Sequence, residues 1–476
     1  MSKPRISFLS ENEIEAIHNA SLKVLGNTGI KVMSQQALDI LKEAGAKVDY
    51  DGNRATIPAN LVEEALRRAP KTIKYCARNP KYDFVLNKQE PHLCTVGGLH
   101  IVDGETGEHR SATKEDIARC AVIGDYLDHV DVVWRVGTPM DVPAAMQNMI
   151  GMYICLSNTE KHVEGGMVNA KEAQYTIEIA AAIVGGREEL KRRPIISATE
   201  CPISPLTYDK GMIEAVIEFA KAGVPVVMYS MPMMGATGPA TLAGTMAIAN
   251  AEFLGGLVIL EFASPGTPVV YAIDVSSMDF KTGAVLSQSA ENSLMNVGLG
   301  QLAYRYGLPT EKEASCGDSR VLDARAGFSV AIALIACILT APDIILGVGG
   351  LKDGTCPEAM VFGNDIMDYA LRFTQGFEVN DDALATDIID KVGPGGNFLG
   401  EKHTLEHFRE RWIPRMSVID TFETWQKKGS KSIAEVAKEK TGEILATHKP
   451  EPIPEGAEEE ISQILKRAEV ELLKIR

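Results

Sequence analysis

PIISATECPISPLTYDKGMIEAVIEFAKAGVPVVMYSMPMMGATGPATLAGTMAIANAEFLGG (residues 194–256) carries the same pattern twice. A short apolar run, PIISATEC (194–201), precedes a stretch with helical apolar spacing, TYDKGMIEAVIEFAKAG (207–223). A second run, VPVVMYS (224–230), passes through a loop of Met, Gly and Pro into another helical stretch, ATLAGTMAIANAEFLGG (240–256). Short runs of this kind, bounded by turn residues and alternating with helices, read as buried strands of a parallel sheet.

The pattern extends in both directions. Strand-like runs stand at CTVGGLHIV (94–102), VDVVWRVGT (130–138) and KHVEGGM (161–167) before this stretch, and at TPVVYAI (267–273), PTEKEAS (309–315) and APDIILGVG (341–349) after it. Helical stretches such as TKEDIARCAVIGDYLD (113–128) and PEAMVFGNDIMDYALRFTQG (357–376) lie between or close the series. Eight strand–helix units predict a (β/α)8 TIM barrel over residues 93–376. The alternative is a doubly wound open sheet, with fewer units and a glycine fingerprint after its first strand. TVGGLHIVDG (95–104) lacks the GxGxxG spacing, and no GxxxxGK[ST] occurs in the chain.

The flanks read as additions to that barrel. Residues 1–92 predict a cap of helices and a small hairpin, opened by SENEIEAIHNASLKVLGNTG (10–29) with a Ser N-cap and a Glu three residues later. Residues 377–446 predict further helices, and 447–476 a linker and an amphipathic terminal helix (457–475), docked on its own barrel or on a neighbouring subunit.

Of the 476 residues, 45% are hydrophobic and 24% charged, and the net charge is −16. The acidic balance argues against nucleic acid or an anionic membrane as the main partner and suits a cationic ligand. Eight cysteines without a CxxC pair, behind an N-terminus unlike a signal peptide, lead us to expect a cytoplasmic protein with reduced thiols. The longest apolar run, FSVAIALIACILTAP (328–342), reads as a buried helix rather than a membrane span.

Chemistry in a barrel belongs to the C-terminal ends of its strands. Those ends collect Glu164, Glu200, Asp274, Asp318 and Asp353, with Tyr229 and Tyr271 as aromatic faces. Carboxylates and tyrosines together suit an ammonium cation, each cation–π contact contributing roughly 0.5–2 kcal/mol. Singly, each is more often a turn residue, a cap or a packed tyrosine. HTLEH (403–407) has the helical spacing of a zinc pair but neither the HExxH order nor a third ligand, so no metal site is expected. CGDSR (316–320) lacks the strand–GxSxG–helix context of a nucleophile elbow. Lys352 is a Schiff-base candidate, though a solvent-facing lysine is the commoner reading.

Residues 199–252, with VGGLHIVD (96–103), ILGVGGLKDG (345–354) and GGNFLGEKHT (395–404), resemble the trimethylamine methyltransferase superfamily over nearly the whole chain. The resemblance implies a barrel that passes a methyl group from a methylamine to a corrinoid held by a separate protein. Founding members of that family contain pyrrolysine. This chain is written in ordinary residues, which points to the relatives without it, whose substrates include betaines and other quaternary amines. No DxHxxG corrinoid-binding stretch occurs in the sequence, so a corrinoid (cobalamin) would arrive on the partner corrinoid protein.

On that reading Tyr229, Tyr271 and Glu200 surround the ammonium, and Glu164 and Asp274 extend the acidic wall. His403, Lys352 or Arg320 meets a substrate carboxylate, and Gly97, Gly98, Met231, Met233 and Gly235 face the corrinoid. No side chain is assigned as acid, base or nucleophile, and a homo-oligomer is expected. The rivals are a tertiary-amine enzyme, a lyase using Lys352, and a non-catalytic protein that binds a betaine or a corrinoid protein.

Overall fold

The structure, a computed structural model, describes residues 4–98, 100–416 and 420–474. Leu99 of the first strand-like run and Ile475 of the terminal helix lie outside the described residues. Eight parallel strands close into a barrel: β1 His92–Thr95, β2 Val130–Trp134, β3 His162–Gly165, β4 Ile196–Glu200, β5 Val226–Ser230, β6 Val269–Ile273, β7 Thr310–Glu313 and β8 Ile344–Val348. Each is followed by its helix: α1 Lys114–Tyr126, α2 Gln147–Asn158, α3 Ala170–Val184, α4 Lys210–Lys221, α5 Leu242–Ala263, α6 Ala290–Tyr306, α7 Ala324–Ile338 and α8 Pro357–Gln375.

Local chemistry sets the helix starts. Asp209 accepts from the Gly211 and Met212 amides at the head of α4, and Thr113 and Asp116 form a capping box on α1. α5 is long and apolar enough to cross a membrane by composition, yet most of it is buried in the fold, as expected of a core helix. α7, read from sequence as a buried helix, buries one face and exposes the other. Phe328 and Ile332, one helical turn apart, are exposed, as are Tyr304 on α6 and Tyr369 and Phe373 on α8.

The two ends of the barrel are finished differently. At the N-terminal end, the hairpin of Ile73–Tyr75 and Phe84–Leu86 stoppers the interior. Tyr75 stacks on His162 with ring centroids 4.1 Å apart, and Phe84 on His92 at 4.0 Å. At the C-terminal end the loops form two small sheets. Met233–Met234, Ser276–Met278 and Val285–Leu286 make one, and Gly350–Leu351, Gly354–Thr355, His100–Val102 and His109–Ser111 make the other.

The N-terminal helices Glu11–Lys23, Gln35–Ala44 and Ala59–Arg68 pack on α5. The terminal helix Glu455–Leu472 docks on its own barrel against α3, where Lys171 pairs with Glu471 at 2.8 Å.

Candidate active site

Strand alternation decides which side chains enter the barrel. Ser197 on β4 donates to Glu164 on β3 at 2.7 Å, and Thr199 lies 3.4 Å from the same carboxylate. Those contacts fix the inward face. Glu311 and Glu313 on β7 lie on the inward face with Cys94, Val132, Trp134, Val227 and Tyr229. Lys312 between them points outward, its ammonium donating to the Asn296 carbonyl at 2.6 Å.

From floor to mouth the interior holds two pairs of carboxyls. In the lower pair, one oxygen each of Glu164 and Glu311 and the Cys94 thiol lie within 4.8 Å of one another, all buried. Neither Glu311 oxygen has a hydrogen-bond partner among the described residues. Burial raises the Glu164 carboxyl to about 7, opposed by the Ser197 hydroxyl. Glu311 is pushed well above the ordinary range, first by burial and then by Glu164. Two buried carboxyls this close disfavour each other's charge, which favours the protonated form of at least one of them. The Ser197 and Thr199 hydroxyls mark Glu164 as the charged partner.

The upper pair is Asp274, just beyond β6, and Glu313. Burial raises Asp274 to about 7 and pushes Glu313 well above its usual range, where Asp274 adds to the effect. Glu313 is held in place by the Gln288 amide at 2.8 Å and the Cys316 backbone N–H at 2.8 Å. Between the pairs stands Tyr229, whose hydroxyl has no partner among the described residues. Its ring meets the Trp134 indole edge-on, centroids 6.2 Å apart. No lysine or arginine among the described residues forms an ion pair with any of the four carboxyls.

At the rim, Trp134 and Asp274 are half-buried and Gly97 is exposed. A Cβ at Gly97 would come within 2.4 Å of the Trp134 indole nitrogen, so a glycine lets that ring stand at the entrance. Met231, Met140 and Phe280 are exposed on the loops after β5, β2 and β6. Gly235, at φ +86°, lies directly beneath the Phe280 ring.

The structure thus brings together Glu164, Tyr229 and Asp274 of the expected site and adds Glu311, Glu313 and Trp134. Other expected residues lie elsewhere. Tyr271 faces out of the barrel, its hydroxyl donating to Asn250 on α5 at 3.1 Å and its ring 4.4 Å from Phe253. Glu200 sits on the face of β4 opposite to Ser197 and Thr199. Its carboxyl is raised by burial and then by Asp209.

Lys352 joins the two mouth sheets, donating to the Val285 carbonyl at 2.6 Å with its ammonium 3.7 Å from Asp318. Arg320 pairs with Asp353 on the exposed rim. His403 lies in the C-terminal segment, against the Asp382 carbonyl at 3.0 Å. Gly98 packs beside Thr355 of the second mouth sheet, and Met233 is part of the first. The loop of Met, Gly and Pro after β5 is therefore pinned into a sheet at Met233 and Met234.

The missed residues carried a signal. PTEKEAS alternates Glu311–Lys312–Glu313, which in a barrel strand places both carboxyls on one face and the lysine on the other. VDVVW does the same for Trp134, on the face of Val132.

Comparison with known proteins is consistent along the whole chain. Residues 1–472 match the family described as trimethylamine methyltransferase (MTTB). Trimethylamine methyltransferase MttB of Desulfitobacterium hafniense (strain DSM 10664 / DCB-2) is 35% identical over 465 residues, covering 97% of this chain and 94% of that protein. The glycine betaine methyltransferase of Desulfitobacterium hafniense (strain Y51) is 30% identical over 430 residues, 89% of each. Among solved structures, the Methanosarcina barkeri monomethylamine methyltransferase (MtmB) superposes with a TM-score of 0.56 at 12% identity, over 98% of this chain and 88% of that one, a likeness of fold.

Proposed function

The chain belongs to the trimethylamine methyltransferase family, and from that membership we propose that it moves a methyl group from a quaternary amine to the Co(I) corrinoid of a separate protein. The observation that carries this reading is the interior itself: Glu164, Glu311, Asp274 and Glu313 beside Tyr229 and Trp134, with no basic partner among the described residues. Such a funnel favours a ligand that brings its own positive charge. A quaternary ammonium suits it further, because it needs no hydrogen-bond acceptor and can be held by ring faces and diffuse negative charge.

The residues present fit a corrinoid brought from outside. Met140, Met231 and Phe280 offer an apolar rim to a flat macrocycle, and the entrance beside Gly97 is open to solvent. A Co(I) corrinoid would supply the nucleophile that takes the methyl group. The side chains position the N–CH3 bond along the barrel axis and exclude water from the floor. As that bond breaks, its electron pair stays on nitrogen and the amine leaves neutral, so no general acid is required. Glu164, fixed by Ser197, holds the cation; holding it too tightly would favour substrate over transition state.

A tertiary amine is the second reading, and a specific observation favours it. Carboxyls raised to about 7 at Glu164 and Asp274 could donate a proton to a leaving secondary amine. A betaine's carboxylate would meet Lys352, drawing its ammonium away from Asp318. Exposed Tyr304, Phe328, Ile332, Tyr369 and Phe373 on three successive helices support association of barrels as a homo-oligomer.

The test is anaerobic methyl transfer to reduced corrinoid protein, with glycine betaine, proline betaine, carnitine, choline and trimethylamine in parallel. Methylated cobalt with a quaternary amine is the expected result. Turnover of trimethylamine with every quaternary amine silent would move the assignment to the second reading.

A further inference from the structure

From Phe377 to Glu410 no residue is buried, although Phe377, Val379, Leu384, Ile389, Phe398, Leu399, Leu405 and Phe408 are all apolar and exposed. A stretch this long without a core of its own needs another device to hold its short helices in register. It contains one. The helix Lys402–His407 carries His403 and His407 one turn apart, with ring centroids 4.2 Å apart. Facing them is Asp382, on the separate short helix Asp381–Leu384.

One donor atom from each of Asp382, His403 and His407 lies within 4.8 Å of the others. The His407 Nε2 is 3.2 Å from the Asp382 carboxylate, and its Nδ1 is 2.8 Å from Glu410. The second contact orients the first. With Nδ1–H donating to Glu410, the Nε2 lone pair faces the Asp382 carboxylate, and two lone pairs in opposition require a cation or a proton between them. A carboxylate on the remote nitrogen of an imidazole is the arrangement that supports metal-ligating histidines.

We propose that Asp382, His403 and His407 form a divalent transition-metal site, of the zinc class, that clips together the two short helices of the C-terminal segment. Two imidazole nitrogens and one carboxylate oxygen are a zinc-type donor set with a fourth position open. Closing the triad around an ion of roughly 2.0–2.1 Å bond length draws the donors inward by about 1–1.5 Å, and the exposed Asp382 side chain is free to make that movement. The sequence alone offered two of these ligands; the fold supplies the third, twenty-one residues before His403. Methyl transfer in the barrel uses none of them, so this site and that reaction stand or fall separately.

The probe is the metal alone, Co2+ and then Zn2+, titrated into the tag-free full chain. The expected result is one Co2+ per chain with four-coordinate visible absorption, displaced by Zn2+. His403→Ala and His407→Ala should each weaken binding by at least about 100-fold, and Glu410→Gln by about tenfold. Limited proteolysis gives an independent readout: Zn2+ should protect the segment between 377 and 410 in the parent chain and not in the His407→Ala variant. All three substituted side chains lie outside the core, so the barrel's thermal transition should be unchanged. Absence of stoichiometric binding, or binding unaffected by both histidine substitutions, overturns the proposal.

Discussion

At the floor of the barrel, Tyr75 lies on His162, Phe84 lies on His92, and the His162 Nδ1 meets the Cys76 carbonyl at 2.8 Å. Burial holds the His162 imidazole neutral, its pKa lowered to about 3. One step up the same strands, the interior turns to carboxyls, and the Glu311 oxygens and the Tyr229 hydroxyl find no partner among the described residues. Each buried polar group left unmet costs about 1–3 kcal/mol. The Tyr75 hydroxyl and the His162 Nε2 at the floor are also without a partner among the described residues, so the two ends differ in charge: the neutral floor calls for no counter-ion, whereas the acidic end can be offset by a cationic ligand. On the proposed reading the floor is scaffold and the acidic end is the candidate site.

The largest expected effect separates the two carboxyls of the lower pair. Glu164→Gln removes the charge that Ser197 holds, and kcat/KM for the quaternary amine should fall about 100-fold, or ~2.7 kcal/mol at 1.36 kcal/mol per decade. Glu311→Gln replaces a protonated acid with an amide of the same shape and should cost less than about tenfold. Equal losses at the two positions would show that the proton is not where the Ser197 hydrogen bond puts it.

The floor should respond in the opposite currency. Phe84→Ala removes a half-buried ring from the stopper and should lower stability by about 2 kcal/mol, below the usual core value because the ring is partly exposed. Turnover per folded molecule should stay within a few-fold. Loss of turnover with an unchanged melting temperature would mean that the floor takes part in the chemistry.

Protons give a third way to sharpen the contrast. Glu164 and Asp274, raised to about 7, contribute stability that is fully present below ordinary carboxylate values and lost as pH rises through about 7. A bound cation favours their charged forms. Affinity for tetramethylammonium should therefore rise about tenfold, ~1.4 kcal/mol, per pH unit from about 5.5 to 7 and level off above. Calorimetric titration across that range checks the slope. A flat profile would mean the cation binds away from both pairs.

The barrel was legible because eight apolar runs alternate with helical spacing, and that pattern survives without knowing a single contact. The acidic, aromatic character of the candidate site was legible from strand ends, where Glu164, Tyr229 and Asp274 stand. Its membership was harder, since it depends on the parity of each strand. Glu200 lies one residue beyond Thr199 and so falls on the wrong side of β4. PTEKEAS reads as a strand, but Glu311 and Glu313 lie within it rather than at its C-terminal end, so a list of strand ends does not reach them. The His403 site joins residues from two separate helices of a coreless segment, a proximity that no local spacing encodes.

The smallest effect is expected at Tyr271. It shares β6 with the interior wall, but its ring packs on Phe253 and Tyr306 and its hydroxyl serves Asn250. Tyr271→Phe should therefore cost about 1 kcal/mol of stability, the ordinary worth of one buried hydrogen bond, and change kcat/KM by less than about threefold. Thermal unfolding and steady-state turnover on the same preparation measure both. Strand parity makes this a sharp test, because Tyr229 and Tyr271 are equally tyrosines at strand ends and only one faces the axis. A 100-fold loss at Tyr271 with stability intact would place the ammonium between β6 and α5, and the acidic chamber would then need another occupant.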